Sequence, residues 1–172
     1  MIANKYLLYH FSFMILRVIA VGKLREKYWK DGVADYSRRL IPYVRFEMLE
    51  VPEAKIQEGI SSAEEEIAMK IEAKPILERL KKANSLVVIL DRQGKSLGSL
   101  ELAKFLEEQI LEGRDVTWII GGPLGLAPSV IKRADLILSF SDLTFPHQMI
   151  RLILLEQIYR CFRIIRHEPY HK

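Results

Sequence analysis

The chain has 172 residues, 49% of them hydrophobic and 28% charged, and its formal net charge is +4. A chain of this size and balance builds one globular domain with a hydrophobic core, so the composition excludes a disordered or fibrous protein. The mild basic excess is compatible with RNA binding but does not require it. The single cysteine, Cys161, cannot form an internal disulfide, which predicts a cytoplasmic protein, and the four histidines have no zinc-type spacing, so we expect no metal site.

Residues 1–13 differ from the rest of the chain because they are mostly apolar and aromatic. The stretch is too short to cross a bilayer as a helix, and no small-residue cleavage site follows it, so neither a membrane anchor nor a signal peptide is predicted. We interpret residues 1–13 as an extension read from an upstream start codon, and residues 14–172 as one domain. We expect a chain that begins at Met14 to keep its full stability and activity.

Short apolar runs alternate with longer segments of helical spacing along the chain. The predicted strands are residues 15–21, 46–51, 86–90, 116–120 and 136–140, and the predicted helices are residues 24–40, 63–84, 100–113, 128–134 and 146–166. We expect Ser61 or Ser62 to cap the second helix and Pro75 to break or kink it. We expect Ser99 to cap the third helix, after a loop at residues 91–98. This alternation predicts an α/β domain, a parallel sheet flanked by helices.

A glycine-rich turn, Gly-Gly-Pro-Leu-Gly at residues 121–125, follows the fourth predicted strand. Ligands of open parallel sheets bind beyond the carboxyl ends of the strands, and glycines there let a ligand approach the backbone. The alternative is a tight turn without a function. Asp142 lies about where a dinucleotide fold places its ribose-binding acid. The glycine spacing differs from that fingerprint, however, and little chain follows, so an NAD-dependent oxidoreductase is the second interpretation.

The fifth predicted strand leads through a polar loop, Ser-Phe-Ser-Asp-Leu-Thr-Phe-Pro-His at residues 139–147, directly into the final helix. Such a loop exposes backbone donors and small hydroxyl groups where a polar ligand binds. His147 lies at the positive end of the helix, which favours a neutral imidazole that can accept a proton. The alternative is a histidine that only caps or packs the start of the helix.

The final helix carries more apolar residues than one buried stripe requires, which predicts a second apolar surface and therefore an oligomer interface. We expect a glutamate at Ile158 to weaken association there, unless this position faces the sheet. Arginines interrupt the pattern, and each is either a solvated charge or a phosphate contact. Cys161 is interpreted as a packed residue of this helix.

Several segments taken together resemble the RlmH (YbeA) family over residues 14–172. The matching segments are residues 18–23, 24–29, 36–43, 50–52, 90–95, 120–125, 138–149 and 167–172. The combination of Gly-Gly-Pro-x-Gly, Thr-Phe-Pro-His-Gln and the terminal Pro-Tyr-His-Lys is specific. Only residues 1–13 lie outside the resemblance.

The resemblance implies a SPOUT-type α/β fold with a trefoil knot near the carboxyl end, in a homodimer whose active site lies near the subunit boundary. It implies methyl transfer from S-adenosylmethionine to N3 of a pseudouridine in 23S ribosomal RNA, pseudouridine 1915 in the family, on the assembled ribosome. The residues implied to contact the cofactor are Leu90, Gly121, Phe140, Ser141, Asp142, Leu143, Thr144 and Phe145.

The implied chemistry needs neither a metal nor a covalent nucleophile, because the sulfonium donor is already activated. The target nitrogen must lose a proton, and His147 and His171 are the candidate bases. Arg151 and Tyr170 are candidates for orienting that base or a phosphate. We expect the tail, Tyr170 to Lys172, to help form the pocket for the target base. A non-catalytic ribosome-binding factor is the alternative from another class.

Overall fold

The computed structural model describes residues 14–55, 59–83 and 85–171, so the predictions for residues 1–13, Asn84 and Lys172 lie outside the described residues. The strands are β1 (Ile15–Val21), β2 (Arg45–Val51), β3 (Ser85–Ser96), β4 (Asp115–Ile120) and β5 (Leu136–Ser139). The helices are α1 (Lys27–Leu40), α2 (Ser62–Lys82), α3 (Ser99–Leu111), α4 (Pro128–Ile131) and α5 (His147–Ile165). Within these residues, no helix is both long and apolar enough to cross a membrane.

The strands form one sheet in the order β2-β1-β4-β3-β5, and every neighbouring pair is parallel. The predicted α/β architecture is therefore confirmed. Because all strands run in the same direction, their carboxyl ends meet at one edge of the sheet, where ligands of this architecture bind.

Alternate side chains of the strands pack against helices on opposite faces of the sheet, as the two-residue period of a strand requires. On one face, Val18 and Trp118 lie in a core that α1, α3 and α5 cover. On the other face, Ile19 and Ile119 lie in a second core that α2 and α4 cover. Burial on both faces explains why the central strands are almost continuously apolar.

Helix α5 is apolar around much of its circumference because it contacts α1 and α3 as well as the sheet. Ile158 is fully buried in this core, so the expectation that it faces a partner is wrong, and a charge there would disrupt the fold itself. Packing within one chain accounts for the apolar pattern, and the homodimer stays a prediction. Cys161 is packed in the same core, as expected, and burial raises the pKa of its thiol to about 12.

Strand β3 is longer than predicted, because it includes residues 91–96, which were expected as part of a loop, and its last two residues, Lys95 and Ser96, pair with β5 again. Leu138 of β5 pairs with both Leu90 and Lys95 of β3, with a break in register between them. A strand residue can pair with a neighbouring strand on each of its two sides. The residues between Leu90 and Lys95 therefore cross over β5 from one side to the other. A Cβ atom at Gly94 would lie only 2.6 Å from the carbonyl carbon of Leu138, which shows how closely this crossing approaches the β5 backbone. The trefoil knot stays a prediction.

The structure decides three expectations about the helices. Pro75 does not break α2, which continues through it, so the first of the two alternatives for Pro75 is excluded. The carbonyl of the exposed Ile71 loses its usual N–H partner, because proline has no N–H. Ser99 is the first residue of α3 rather than its cap, and the carboxylate of Glu101 accepts a hydrogen bond from the Gly98 N–H at 2.8 Å. The capping of α2 by Ser61 is confirmed.

Replacing Gly94 with serine should lower the free energy of unfolding by at least about 2 kcal/mol, because the new Cβ atom would overlap the β5 backbone. Urea unfolding followed by circular dichroism measures this difference. Gly98→Ser is the matched control, since its nearest contact is an ordinary 3.4 Å and serine is a favourable helix cap. Equal stability of the two variants would contradict the tight crossing.

Candidate active site

A cleft of about 490 Å³ lies at the sheet edge where the carboxyl ends of β3, β4 and β5 meet. Most residues that the family resemblance assigned to the cofactor line this cleft, together with the candidate base: Leu90, Gly121, Phe140, Ser141, Leu143, Thr144, Phe145 and His147. Asp142 belongs to the same loop but is exposed and does not line the cleft. Residues that are distant in sequence therefore form one site.

Contacts within the protein and the backbone conformation favour glycine at two positions of the turn between β4 and α4. A Cβ atom at Gly121 would lie 3.0 Å from the backbone of Gly125 and from the side chain of Leu126. Gly125 has a φ of +84°, which favours glycine, and its N–H donates to the Gly122 carbonyl at 3.0 Å. Gly121→Val would therefore disturb the turn itself, so an effect of this change on cofactor binding would not by itself place Gly121 in contact with the cofactor.

Gly122 lies against a buried carboxylate behind the cleft. A Cβ atom there would be 3.0 Å from the Val21 side chain and 3.3 Å from Oε2 of Glu72. Burial raises the pKa of Glu72, while a hydrogen bond from the Ala54 N–H at 2.9 Å opposes this shift. The turn thus fits closely between β1 and α2, which holds its backbone at the base of the cleft.

The loop after β5 is shaped by two serines. The Ser139 hydroxyl donates to the Ser141 carbonyl at 3.1 Å, and the Ser141 hydroxyl accepts from the Leu143 N–H at 3.0 Å. These local hydrogen bonds take the place of the strand-to-strand hydrogen bonds, which stop at the end of β5. Leu143 is left with 71% of its surface exposed, although its side chain lines the cleft. An apolar side chain in this position is suited to cover an apolar part of a ligand.

Sequence reasoning missed one wall of the cleft, formed by Asp91, Arg92 and Gln93. The Asp91 carboxylate accepts a hydrogen bond from the Gln93 N–H at 2.8 Å, which bends the chain as it leaves the apolar part of β3. The sequence feature that could have indicated this wall is the segment at residues 90–95, which resembles the family, but only Leu90 within it was assigned a role. These residues add charge and hydrogen-bonding groups to the cleft.

His147 is the first residue of α5, and Ile150 in the same turn also lines the cleft. This turn is fixed from outside, because the Arg25 N–H donates to Oε1 of Gln148 at 2.7 Å. The first turn of α5 therefore places His147 in the same cleft as the glycine turn and the serine loop. This placement allows the base role that the sequence suggested for His147.

Arg151 does not line the cleft and is fully buried beside the carboxyl ends of β1 and β2. Its guanidinium donates to the carbonyls of Val21 and Gly22 at 2.6 and 3.1 Å, and to the Glu50 carboxylate at 3.0 Å. Burial lowers the pKa of Arg151, and the charge of Glu50 opposes this shift. The structure thus gives Arg151 a structural task, which is to connect α5 to the edge of β1 and β2.

The carboxyl-terminal tail packs away from the cleft of its own chain. The Tyr170 hydroxyl donates to Glu156 at 3.1 Å and lies 3.2 Å from the hydroxyl of Tyr36. Glu156 is nine residues beyond His147, about 13 Å along the helix axis. His171 is exposed next to this contact, and neither tail residue lines the cleft. The structure therefore does not bring Tyr170 and His171 together with His147 within one chain.

A family model described as "Predicted SPOUT methyltransferase" matches residues 14–171 of the chain. Solved structures of low identity share the fold. A "probable methyltransferase" from Bordetella pertussis Tohama I has a TM-score of 0.56 at 12% identity, covering 92% of this chain and 99% of its own. A "probable methylase family protein" from Haemophilus influenzae Rd KW20 has a TM-score of 0.52 at 11% identity, covering 91% and 70%. The chain belongs to the SPOUT methyltransferase class, and its fold is shared with these structures.

Close relatives narrow this class further. The "Ribosomal RNA large subunit methyltransferase H" of Carboxydothermus hydrogenoformans is 49% identical over 160 residues, which cover 92% of this chain and all of the relative. The protein of the same name from Acetivibrio thermocellus is 47% identical over 160 residues, with the same coverage. The chain belongs to this methyltransferase H family, and the resemblance drawn from its motifs is confirmed.

Replacing Arg151 with methionine should lower the free energy of unfolding by about 3 kcal/mol, because it leaves two backbone carbonyls and the Glu50 carboxylate without their buried donor. Thermal and urea unfolding measure the loss. Arg114→Met is the matched control, since Arg114 pairs with Glu112 on the exposed surface and should change stability little. If both variants unfolded alike, the structural task of Arg151 would be refuted.

Proposed function

We propose that the chain transfers a methyl group from S-adenosylmethionine to N3 of a pseudouridine in 23S ribosomal RNA on the assembled ribosome. The observation that carries this proposal is the cleft at the carboxyl edge of the sheet, which collects most of the family's cofactor positions and His147 in one place. The relatives that share nearly half of the sequence carry the name of a ribosomal RNA methyltransferase. Because the substrate is the ribosome, the reaction would take place in the cytoplasm.

The residues of the cleft fit S-adenosylmethionine. The cleft is within the usual size range of small-molecule sites, roughly 300–1,000 Å³. Leu90, Leu143 and Ile150 offer apolar surface for an adenine ring, and the glycine turn offers backbone groups for polar parts. Asp91 provides a carboxylate for the positive charges of the ligand. When bound, the sulfonium supplies an activated methyl group, so the protein contributes binding and orientation.

The remaining chemistry is a proton transfer, for which the chain provides His147. N3 of the target base carries a proton that must leave before or during methylation. A ring nitrogen of His147, which lines the cleft from the first turn of α5, can accept it. Orientation of the two reactants supplies most of the remaining rate enhancement, which for well-aligned groups corresponds to roughly 7–11 kcal/mol.

The proposed assembly is a homodimer with its active site near the subunit boundary. Within one chain, Tyr170 and His171 lie well along α5 from His147. A role for either residue at the target base therefore requires the tail of one subunit to serve the cleft of the other. Sedimentation at micromolar concentration tests this assembly, and a monomer would exclude it.

The reaction is tested directly with ribosomes from a strain that lacks the modification. Incubation with the protein and S-adenosylmethionine should make one 23S RNA fragment heavier by one methyl group in mass spectrometry. Calorimetry should show binding of S-adenosylmethionine and none of NAD. Binding of the ribosome with no change in RNA mass would support a non-catalytic factor instead.

Leu143→Ser should weaken the affinity for S-adenosylmethionine roughly tenfold, because burying a leucine side chain under a ligand is worth about 1.5–3 kcal/mol. Titration calorimetry measures the change. The matched control is Leu100→Ser, since Leu100 is also largely exposed but lies on α3 outside the cleft. Equal affinities of the two variants would remove Leu143 from the binding site.

His147→Ala should slow single-turnover methylation by roughly 10²–10⁴-fold, because the base is lost, while the affinity for the cofactor changes little. His167→Asn is the control, because His167 has a φ of 54° that asparagine tolerates, and it does not line the cleft. A wild-type rate in His147→Ala would leave this residue with only a structural position at the start of α5.

A further inference from the structure

An exposed segment that is both basic and aromatic follows β1 and forms the first turn of α1. In this basic–aromatic segment, residues 23–30, the exposed fraction of Tyr28 is 62%. Its ring lies edge-on to the partly buried Trp29 at a centroid distance of 4.9 Å, which supports it from one side. A large aromatic ring that is held in place and left open to solvent is suited to stack against a flat partner.

The charges of this segment are only partly neutralised. Lys27 pairs with Asp31, and Glu26 adds one further acid. The side chains of Lys23, Arg25 and Lys30 are exposed and form no ion pair within the described part of the chain. Elsewhere on α1, by contrast, both Arg38 and Arg39 pair with Asp35. The basic–aromatic segment therefore presents three cations that have no ion-pair partner among the described residues.

The basic–aromatic segment is fixed next to the cleft. The Arg25 N–H donates to Gln148, the residue after His147, at 2.7 Å. The Leu24 N–H donates at 2.9 Å to the Glu50 carboxylate, which also binds Arg151. Because both bonds come from the backbone, the exposed side chains stay free for a partner while their position relative to the first turn of α5 is set.

We propose that the basic–aromatic segment is a docking surface for ribosomal RNA beside the target nucleotide, an inference that rests on the proposed function. An unpaired base stacks on Tyr28, and Lys23, Arg25 and Lys30 contact the flanking phosphates. RNA supplies both complementary features at once, negative charge along the backbone and flat bases. The target base must leave its own stack to enter the cleft, and this costs least in an unpaired region of the RNA, where neighbouring bases are also open to stacking.

The charge contribution is tested by replacing Lys23, Arg25 and Lys30 together with serine. KM for ribosomes should rise, and the dependence of log KM on log salt should become shallower by about 2, since each phosphate contact contributes roughly 0.7–0.9. Affinity for S-adenosylmethionine should stay unchanged. The matched control, with the same loss of charge at other exposed cations, is the triple variant Lys104→Ser, Lys132→Ser and Arg133→Ser.

The stacking contribution is tested at Tyr28. Tyr28→Ser should raise KM for ribosomes roughly tenfold, which is within the range of effects expected for the loss of one base–aromatic stack. Tyr28→Phe keeps the ring, so its KM should stay near that of the unaltered protein. Leu111→Ser is the control for removing an exposed apolar side chain elsewhere. Sedimentation of every variant measures whether the oligomeric state is preserved.

The outcomes separate this proposal from the proposed function. A raised KM in the segment variants alone, with an unchanged oligomeric state, supports the docking surface. If the unaltered protein methylates ribosomes and the segment variants match their controls, the docking surface is refuted and the proposed function stands. If Tyr28→Ser weakens RNA binding only by dissociating subunits, the segment is a protein interface, which also overturns the proposal. Failure of the unaltered protein to methylate ribosomes overturns both.

Discussion

The contact on which the candidate site depends is the passage of Gly94 across the backbone of β5. It allows β3 to pair with both sides of the short strand β5, so that the walls of the cleft from residues 91–93 and from the loop after β5 face each other. Backbone contact between β3 and β5 therefore helps to set the relative position of the two walls, and it permits little adjustment because strands have a fixed spacing.

Arg151 plays the corresponding role on the other side of the site. Its guanidinium is bonded to two carbonyls at the end of β1 and to a carboxylate on β2, and it is carried one turn after His147 on α5. Burying such a charge is unfavourable, and hydrogen bonds to several acceptors offset this cost. The same Glu50 carboxylate also holds the loop that leads into α1. The ion pair between the buried Arg151 and the partly exposed Glu50 thus positions the candidate base and the neighbouring surface together.

The sequence predicted the parts of the fold that depend on local pattern. Apolar runs located each strand, the parallel arrangement followed from their alternation with helices, and the shared carboxyl edge placed the glycine turn next to His147. It could not predict that the polar residues after Leu90 pair with β5, because their partner lies over 40 residues away and nothing local marks it. The burial of Arg151 and of Ile158 was missed for the same reason. Their environments are created by elements that are distant in the chain.

The buried Cys161 can report how often α5 detaches from the rest of the folded protein. It is the only thiol, it is 1% exposed in the middle of α5, and burial keeps it protonated and therefore unreactive at neutral pH. An alkylating reagent can modify it only in molecules whose α5 has detached from α1 and α3. The labelling rate thus measures the free energy of that opening without an introduced probe. Comparing the labelling rate with and without a ligand in the cleft would give the coupling free energy between ligand binding and the detachment of α5.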